Sequence, residues 1–155
     1  MDISKVKVCI PTSSGGHLTH MRMLMPVLEK AKDRFWVTFD KNDANNALVG
    51  ERVYHCYYPT NRNVKNTIKN TFLAIKVLKK EHPDLIVSSG AAIAVPFFLI
   101  GKLFGAKTVY VEVFDRIDAP TLTGRLVWRF SDLFVVQWSE MTKVYPNSVD
   151  LGSIF

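Results

Sequence analysis

The segment Pro11-Thr12-Ser13-Ser14-Gly15-Gly16-His17 carries the residue types best suited to chemistry in this chain, and it directly follows the apolar run Val6-Lys7-Val8-Cys9-Ile10. A buried strand that ends in a small-residue turn, with a helix opening at His17 or Leu18, brings bare backbone N–H groups and a positive helix end to one edge of a sheet. That arrangement suits a phosphate or diphosphate. An imidazole beside it suits proton transfer or phosphate contact. Ser13, Ser14, Gly15 and Gly16 are therefore candidate phosphate ligands, and His17 is the first candidate for catalysis. Neither GxGxxG nor GxxxxGK[ST] occurs, so dinucleotide and P-loop readings have little support. A tight turn that admits only small residues would also explain the glycines.

A second small-residue turn, Ser88-Ser89-Gly90, follows the apolar run Leu85–Val87. Two such turns at neighbouring strand ends could face one anion with hydroxyl and N–H groups together. Glu112 closes the run Thr108-Val109-Tyr110-Val111, where a carboxylate can act as a base or hold a sugar hydroxyl. It could equally be an acid paired with Arg116 or Arg125. Arg116 can grip a phosphate with two N–H groups, or simply be solvated. His17, His20, His55 and His82 lack ligand spacing with cysteines or acids, so no metal or other cofactor is expected.

The elements that must hold these residues alternate. Strands are expected at Val6–Ile10, Phe35–Phe39, Val53–Tyr57, Leu85–Ser88, Thr108–Glu112, Leu133–Val136 and Val149–Leu151. Helices are expected at Leu18–Lys32, Val64–Glu81, Ala92–Phe104, Thr123–Phe130 and Ser139–Tyr145. Several strands are continuous apolar runs, as in sheets covered on both faces. The pattern predicts an α/β fold with a Rossmann-like, doubly wound parallel sheet. The candidate residues then share one edge, the carboxyl ends of the strands.

The chain of 155 residues is long enough for one domain with a real core, and an apolar share of 48% excludes disorder. A net charge of +6 favours anionic partners. Much of the basic charge falls on the stretch 62–80, which has no acid. At helical spacing Val64, Ile68, Phe72 and Ile75 form one stripe, beside a second of Lys65, Lys69, Lys76 and Lys80. Such a helix can rest on an anionic membrane surface, or pack its apolar side on the sheet and leave its lysines solvated. Interleaved aromatics of a single-strand binder are missing from the basic stripe, so nucleic acid is not the expected partner. Cys9 and Cys56 do not suggest a disulfide framework. The run Leu85–Gly101 is broken by Ser88-Ser89-Gly90 and Pro96 and falls short of the roughly 20 apolar residues of a membrane span. No signal peptide or membrane anchor is read, so membrane contact is expected to be peripheral. The closing residues 150–155 are apolar enough to pack on their own core or to dock on another polypeptide.

Further residues complete a resemblance. They are His82-Pro83-Asp84-Leu85-Ile86-Val87-Ser88-Ser89-Gly90, Val109-Tyr110-Val111-Glu112, Thr123-Gly124, Ser131-Asp132-Leu133-Phe134-Val135-Val136-Gln137-Trp138 and Tyr145-Pro146. With the Ser-Ser-Gly-Gly-His turn, the chain resembles the membrane-associated, acceptor-side subunit of the two-subunit UDP-N-acetylglucosamine transferase of dolichol-linked oligosaccharide assembly. Its bacterial relatives are the PssD and CpsF type proteins of exopolysaccharide and capsule synthesis. It is more distantly similar to the N-terminal half of MurG, a transferase of the GT-B fold.

The resemblance implies a divided, inverting glycosyltransferase using a UDP-sugar. One chain meets a polyprenyl-diphosphate-linked sugar, and a small separate subunit binds the donor. Ser14, Gly15, Gly16 and His17 would face the acceptor diphosphate, with Glu112 across the cleft. Gln137, Trp138, Leu151, Ile154 and Phe155 would hold the partner. Eukaryotic members begin with a membrane anchor, which is not read here. That points to a bacterial protein on the cytoplasmic face of the plasma membrane, held through the 64–80 helix. A scaffold that only recruits the catalytic partner is the alternative.

Overall fold

The computed structural model describes residues 2–60 and 62–154. Its strands are β1 (Lys7–Pro11), β2 (Asp33–Phe39), β3 (Val53–Cys56), β4 (Leu85–Ser88), β5 (Lys107–Val111), β6 (Leu133–Val136) and β7 (Val149–Asp150). They form one sheet in the order β3-β2-β1-β4-β5-β6-β7, and every neighbouring pair is parallel. The chain winds outward from β1 to β3, then returns to β4 on the other side of β1. That reversal leaves a crevice at the carboxyl ends of β1 and β4, where open α/β sheets bind ligands. The fold is Rossmann-like and doubly wound, as the alternating pattern predicts.

The helices are α1 (Gly16–Met23), α2 (Met25–Leu28), α3 (Asn42–Ala47), α4 (Val64–Glu81), α5 (Ala94–Leu103), α6 (Leu122–Val127) and α7 (Met141–Val144). Two cores flank the sheet. Val8, Ile10, Trp36, Leu18 and Met21 pack in the layer of α1–α3. Phe35, Ile86, Phe97, Phe98, Tyr110, Phe134 and Tyr145 pack in the layer of α4–α7. Cys9 and Cys56 are buried as free thiols. Among the described residues no helix is long and apolar enough to cross a membrane.

Three expectations are corrected. The single helix expected over Leu18–Lys32 is two, separated at Leu24, with Pro26 in the first turn of the second. Proline has no N–H to donate to the preceding turn, so the first helix ends before it. Helix α3 is not among the expected helices: Asn42-Asp43-Ala44-Asn45-Asn46-Ala47 has low helix propensity, and only Ala44 is buried.

The third correction concerns the rotation of α4. Its buried side is Asn70, Ala74, Val77, Leu78 and Glu81, not the apolar stripe. Polar anchors set this rotation. The Asn70 side chain accepts from Tyr57 N and donates to Tyr57 O, both at 2.9 Å. Glu81 pairs with Lys7 and Arg52 and accepts from the Tyr54 hydroxyl. Val64, Ile68 and Phe72 are therefore 74, 53 and 67% exposed, alongside exposed Lys65, Lys69, Lys76 and Lys80. Helix α5, packed beside α4, adds exposed Leu99 and Leu103, and α6 adds Leu122 and Leu126. The reading in which the stripe packs on the sheet does not hold.

Candidate functional site

His17 stands where the two small-residue turns meet. It opens α1 from a turn in which Gly15 has φ 76°, a left-handed conformation that favours glycine. Its ring lies against Gly90, whose φ is 126°. A β-carbon on Gly90 would sit 2.8 Å from His17 Cε1 and 3.0 Å from the Tyr110 hydroxyl, so only glycine fits. Burial pulls the His17 pKa below the ordinary histidine value, against the opposing influence of the Ser89 backbone and Asp115. At neutral pH the imidazole is uncharged and can accept a proton.

Three hollows converge on this ring. One of about 300 Å³ runs between Gly16, His17, His20, Phe114, Asp115, Arg116 and Thr121. A second of about 310 Å³ is lined by Ser13, Ser14, His17, Phe39, Lys41, Tyr58 and Thr60. A third of about 340 Å³ lies between His17, Thr60, Arg62, Ala92, Leu122 and Thr123. Lys41, Arg62 and Arg116 thus surround His17 with positive charge, and Leu122, exposed on α6, lines the third hollow.

The serine hydroxyls of the second turn point elsewhere. Ser88 and Ser89 are fully buried. Ser88 Oγ donates to Pro11 O at 2.6 Å and accepts from Gly90 N at 3.1 Å, while Ser89 Oγ donates to His17 O at 3.3 Å. These contacts join the two turns, and the expectation that both hydroxyls face an anion is corrected. In the first turn Ser13 and Ser14 remain half-exposed and Gly16 exposed, but the Gly15 N–H donates to the Asp43 carboxylate at 2.8 Å.

Glu112 is 1% exposed. Its carboxylate accepts from the Tyr145 hydroxyl at 2.8 Å, from Thr121 Oγ1 at 2.9 Å, and from Thr121 N and Val113 N. Gly124 leaves room for this group, since a β-carbon there would collide with Glu112 Oε2 and the Tyr145 hydroxyl. Burial raises the Glu112 pKa, opposed first by the Tyr145 and Thr121 hydrogen bonds. In this conformation it ties the loop after β5 to α6 and Tyr145. The expectation of a base facing the cleft is corrected, because desolvation and internal donors already claim the carboxylate.

The partner-docking group divides as well. Gln137 is 3% exposed and bonds internally to Glu112 O, His20 and Ile154 N. In this chain the Gln137 side chain is turned inward and is not presented at the surface. Trp138 is half-buried and donates from Nε1 to Phe114 O. Leu151 is 66% exposed and Ile154 partly so, whereas Phe155 lies outside the described residues. His20, Lys41, Asp43 and Arg62 were not in the predicted site. Lys41 had a signal, since it stands two residues beyond the second strand's carboxyl end. His20 had one too, three residues beyond His17 on the same helix face.

The family described as "Oligosaccharide biosynthesis protein Alg14 like" matches residues 51–154. The chain belongs to this Alg14-like family. The human UDP-N-acetylglucosamine transferase subunit ALG14 is 27% identical over 187 residues, covering 99% of this chain and 87% of the human one. The subunit from Schizosaccharomyces pombe is 34% identical over 46% of this chain and 37% of its own. Among solved structures, MurG of Acinetobacter baumannii superposes with a TM-score of 0.76 at 17% identity, over 95% of this chain and 45% of MurG. UDP-N-acetylglucosamine 2-epimerase from Rickettsia bellii gives a TM-score of 0.73 at 15% identity, over 96% and 45%. This Alg14-like chain spans less than half of each of those two proteins, and at such identity the likeness is one of fold.

Proposed function

We propose that this chain is the acceptor-side component of a divided UDP-sugar glycosyltransferase, apposed to a membrane surface. The observation that carries the reading is the place of His17. A neutral imidazole sits at the switch point of the sheet, among three hollows and beside Lys41, Arg62 and Arg116. In this reading the cations and the Ser13–Gly16 turn hold the diphosphate of a polyprenyl-linked sugar. His17 takes the proton from the acceptor hydroxyl as that oxygen attacks the sugar carbon of the donor, and the nucleotide diphosphate leaves from the opposite face. General-base help of this kind contributes about 10²–10⁴-fold. The polyprenyl chain leaves the third hollow past Leu122, toward the membrane.

Family membership supports the division of labour, since the curated relatives are named as subunits of a UDP-N-acetylglucosamine transferase. The donor-binding half of the cleft then comes from a separate small subunit, docked near Trp138 and the Leu151–Ile154 segment. The exposed apolar stripe and lysines of α4 support contact with an anionic bilayer. For the setting we propose capsular or extracellular polysaccharide assembly on the cytoplasmic face of a bacterial plasma membrane, as in PssD and CpsF type proteins. A scaffold that only recruits its partner is the second reading, favoured by the withdrawal of Glu112 from the cleft.

The test is acceptor binding by the full chain. A short-chain polyprenyl diphosphate sugar is titrated while the His17 imidazole resonance is followed. A saturable shift of that resonance is expected. Binding of the partner subunit with no acceptor-dependent shift would leave the scaffold reading in its place.

A further inference from the structure

His20 stands in a polar chain that runs from the hollow beside His17 to the C-terminal segment. It lies three residues after His17 on α1, is 2% exposed, and lines the same hollow. Gln137 follows β6 and is 3% exposed. Its side-chain nitrogen lies 2.9 Å from Glu112 O and 2.7 Å from His20 Nε2. Its side-chain oxygen accepts the Ile154 N–H at 3.0 Å.

Only one orientation of this amide suits all three neighbours. Reversed, its oxygen would face the Glu112 carbonyl and its nitrogen would face the Ile154 N–H, two repulsive contacts in a buried setting. The amide nitrogen carries two hydrogens. One goes to Glu112 O and the other to His20 Nε2. A ring nitrogen that accepts a hydrogen bond cannot also carry the proton of a neutral imidazole, so that proton resides on Nδ1.

We infer that Gln137 holds His20 in the neutral, Nδ1-protonated tautomer, that the Ile154 backbone sets the Gln137 amide, and that His20 is a positioning residue for His17. A further positive charge beside His17 would discourage proton uptake there, and a ring turned to the other tautomer would lose its tie to Gln137. Exposed Leu151, three residues before Ile154, gives a docking partner a handle on this chain of bonds without touching either imidazole. The consequence for sugar transfer rests on the acceptor-site reading above; the tautomer and its tie to residue 154 do not.

The experiment is long-range proton–nitrogen correlation on the full chain with labelled histidine, the His20 signals being assigned through His20→Gln. At neutral pH His20 Nε2 is expected in the unprotonated range and Nδ1 in the protonated range. Gln137→Glu replaces the donor with a carboxylate and is expected to move the proton to Nε2. Removal of residues 154 and 155 takes away the N–H that Gln137 accepts and is expected to shift the His20 signals. Protonation at Nε2 in the unaltered chain, which needs no variant to fold, would overturn the inference. So would His20 signals indifferent to the truncation. In a reconstituted transfer assay Gln137→Glu is expected to lower kcat at least tenfold with the acceptor KM changed by less than threefold. If the unaltered pair transferred no sugar, the acceptor-site reading would fall while the spectra still decided the tautomer.

Discussion

The Asp43 carboxylate accepts the backbone N–H of Gly15 at 2.8 Å, so the glycine turn meets an anion supplied by its own fold. Asp43 comes from α3, a helix with no apolar periodicity, and it sits in that helix's first turn. An acceptor diphosphate that uses the Gly15 N–H must displace this carboxylate and overcome its charge. Asp43→Ala is therefore expected to tighten binding of a polyprenyl diphosphate sugar by up to about tenfold, the equivalent of about 1.4 kcal/mol. Calorimetric titration checks it. Weaker binding by the variant would make Asp43 a support of the turn instead.

Glu112 and Tyr145 are expected to act through stability. Glu112→Ala strands the Thr121 and Val113 N–H groups and the Tyr145 hydroxyl, and should lower unfolding free energy by about 3 kcal/mol. Tyr145→Phe removes one bond and should cost about 1 kcal/mol. Denaturant unfolding measures both. A stable Glu112→Ala protein with abolished transfer would restore Glu112 to catalysis.

His20 makes acid stability a diagnostic. Burial, with the nearby His17 adding to it and Asp115 opposing, pulls its pKa down to about 4. The unfolded value is near 6.5. Between these values the unfolded chain holds a proton that the folded one does not. This contribution to stability is therefore complete above pH 6.5 and is lost as the pH falls toward 4. His17 shifts in the same direction. Groups that face His20 include His17, Asp115 and Gln137. Urea midpoints at pH 7.5 and pH 5 should converge in His20→Gln relative to the parent chain. An unchanged acid loss would contradict the burial of a neutral imidazole.

The α4 face predicts two separable contributions to membrane affinity. Ile68→Ser with Phe72→Ser should lower binding to phosphatidylglycerol-containing vesicles at least tenfold at any salt concentration, because apolar surface is removed. Lys65→Ala with Lys69→Ala should weaken binding by about 1 kcal/mol per lysine at low salt and much less at high salt. Vesicle co-sedimentation reads both. Equal binding by the parent chain and both double variants would remove α4 as the contact.

Much of the framework was legible because strand endings are local. The runs at Leu85–Ser88 and Leu133–Val136 agree residue for residue with β4 and β6, and the turns after β1 and β4 mark the site. The rotation of α4 was not legible, because its hydrophobic stripe competes with Asn70 and Glu81, whose partners, Tyr57 just after β3 and Lys7 on β1, lie outside the helix. The roles of Ser88, Ser89 and Gln137 were hidden for a similar reason. A hydroxyl or amide can face ligand or backbone, and only the tertiary partners decide. Asp43 reaches Gly15 from 28 residues away, a contact that no spacing announces.

Sugar transfer in a reconstituted pair tests the central claim most directly. This chain, a separate donor-binding subunit from a neighbouring gene, and their mixture are each supplied with UDP-sugars and a short-chain polyprenyl diphosphate sugar. Transfer by the mixture, well above either component, is predicted. His17→Ala should lower its turnover about 10²-fold or more while the two chains still associate. Full transfer by the partner alone, or near-parental turnover with His17→Ala, would contradict a catalytic acceptor site on this chain.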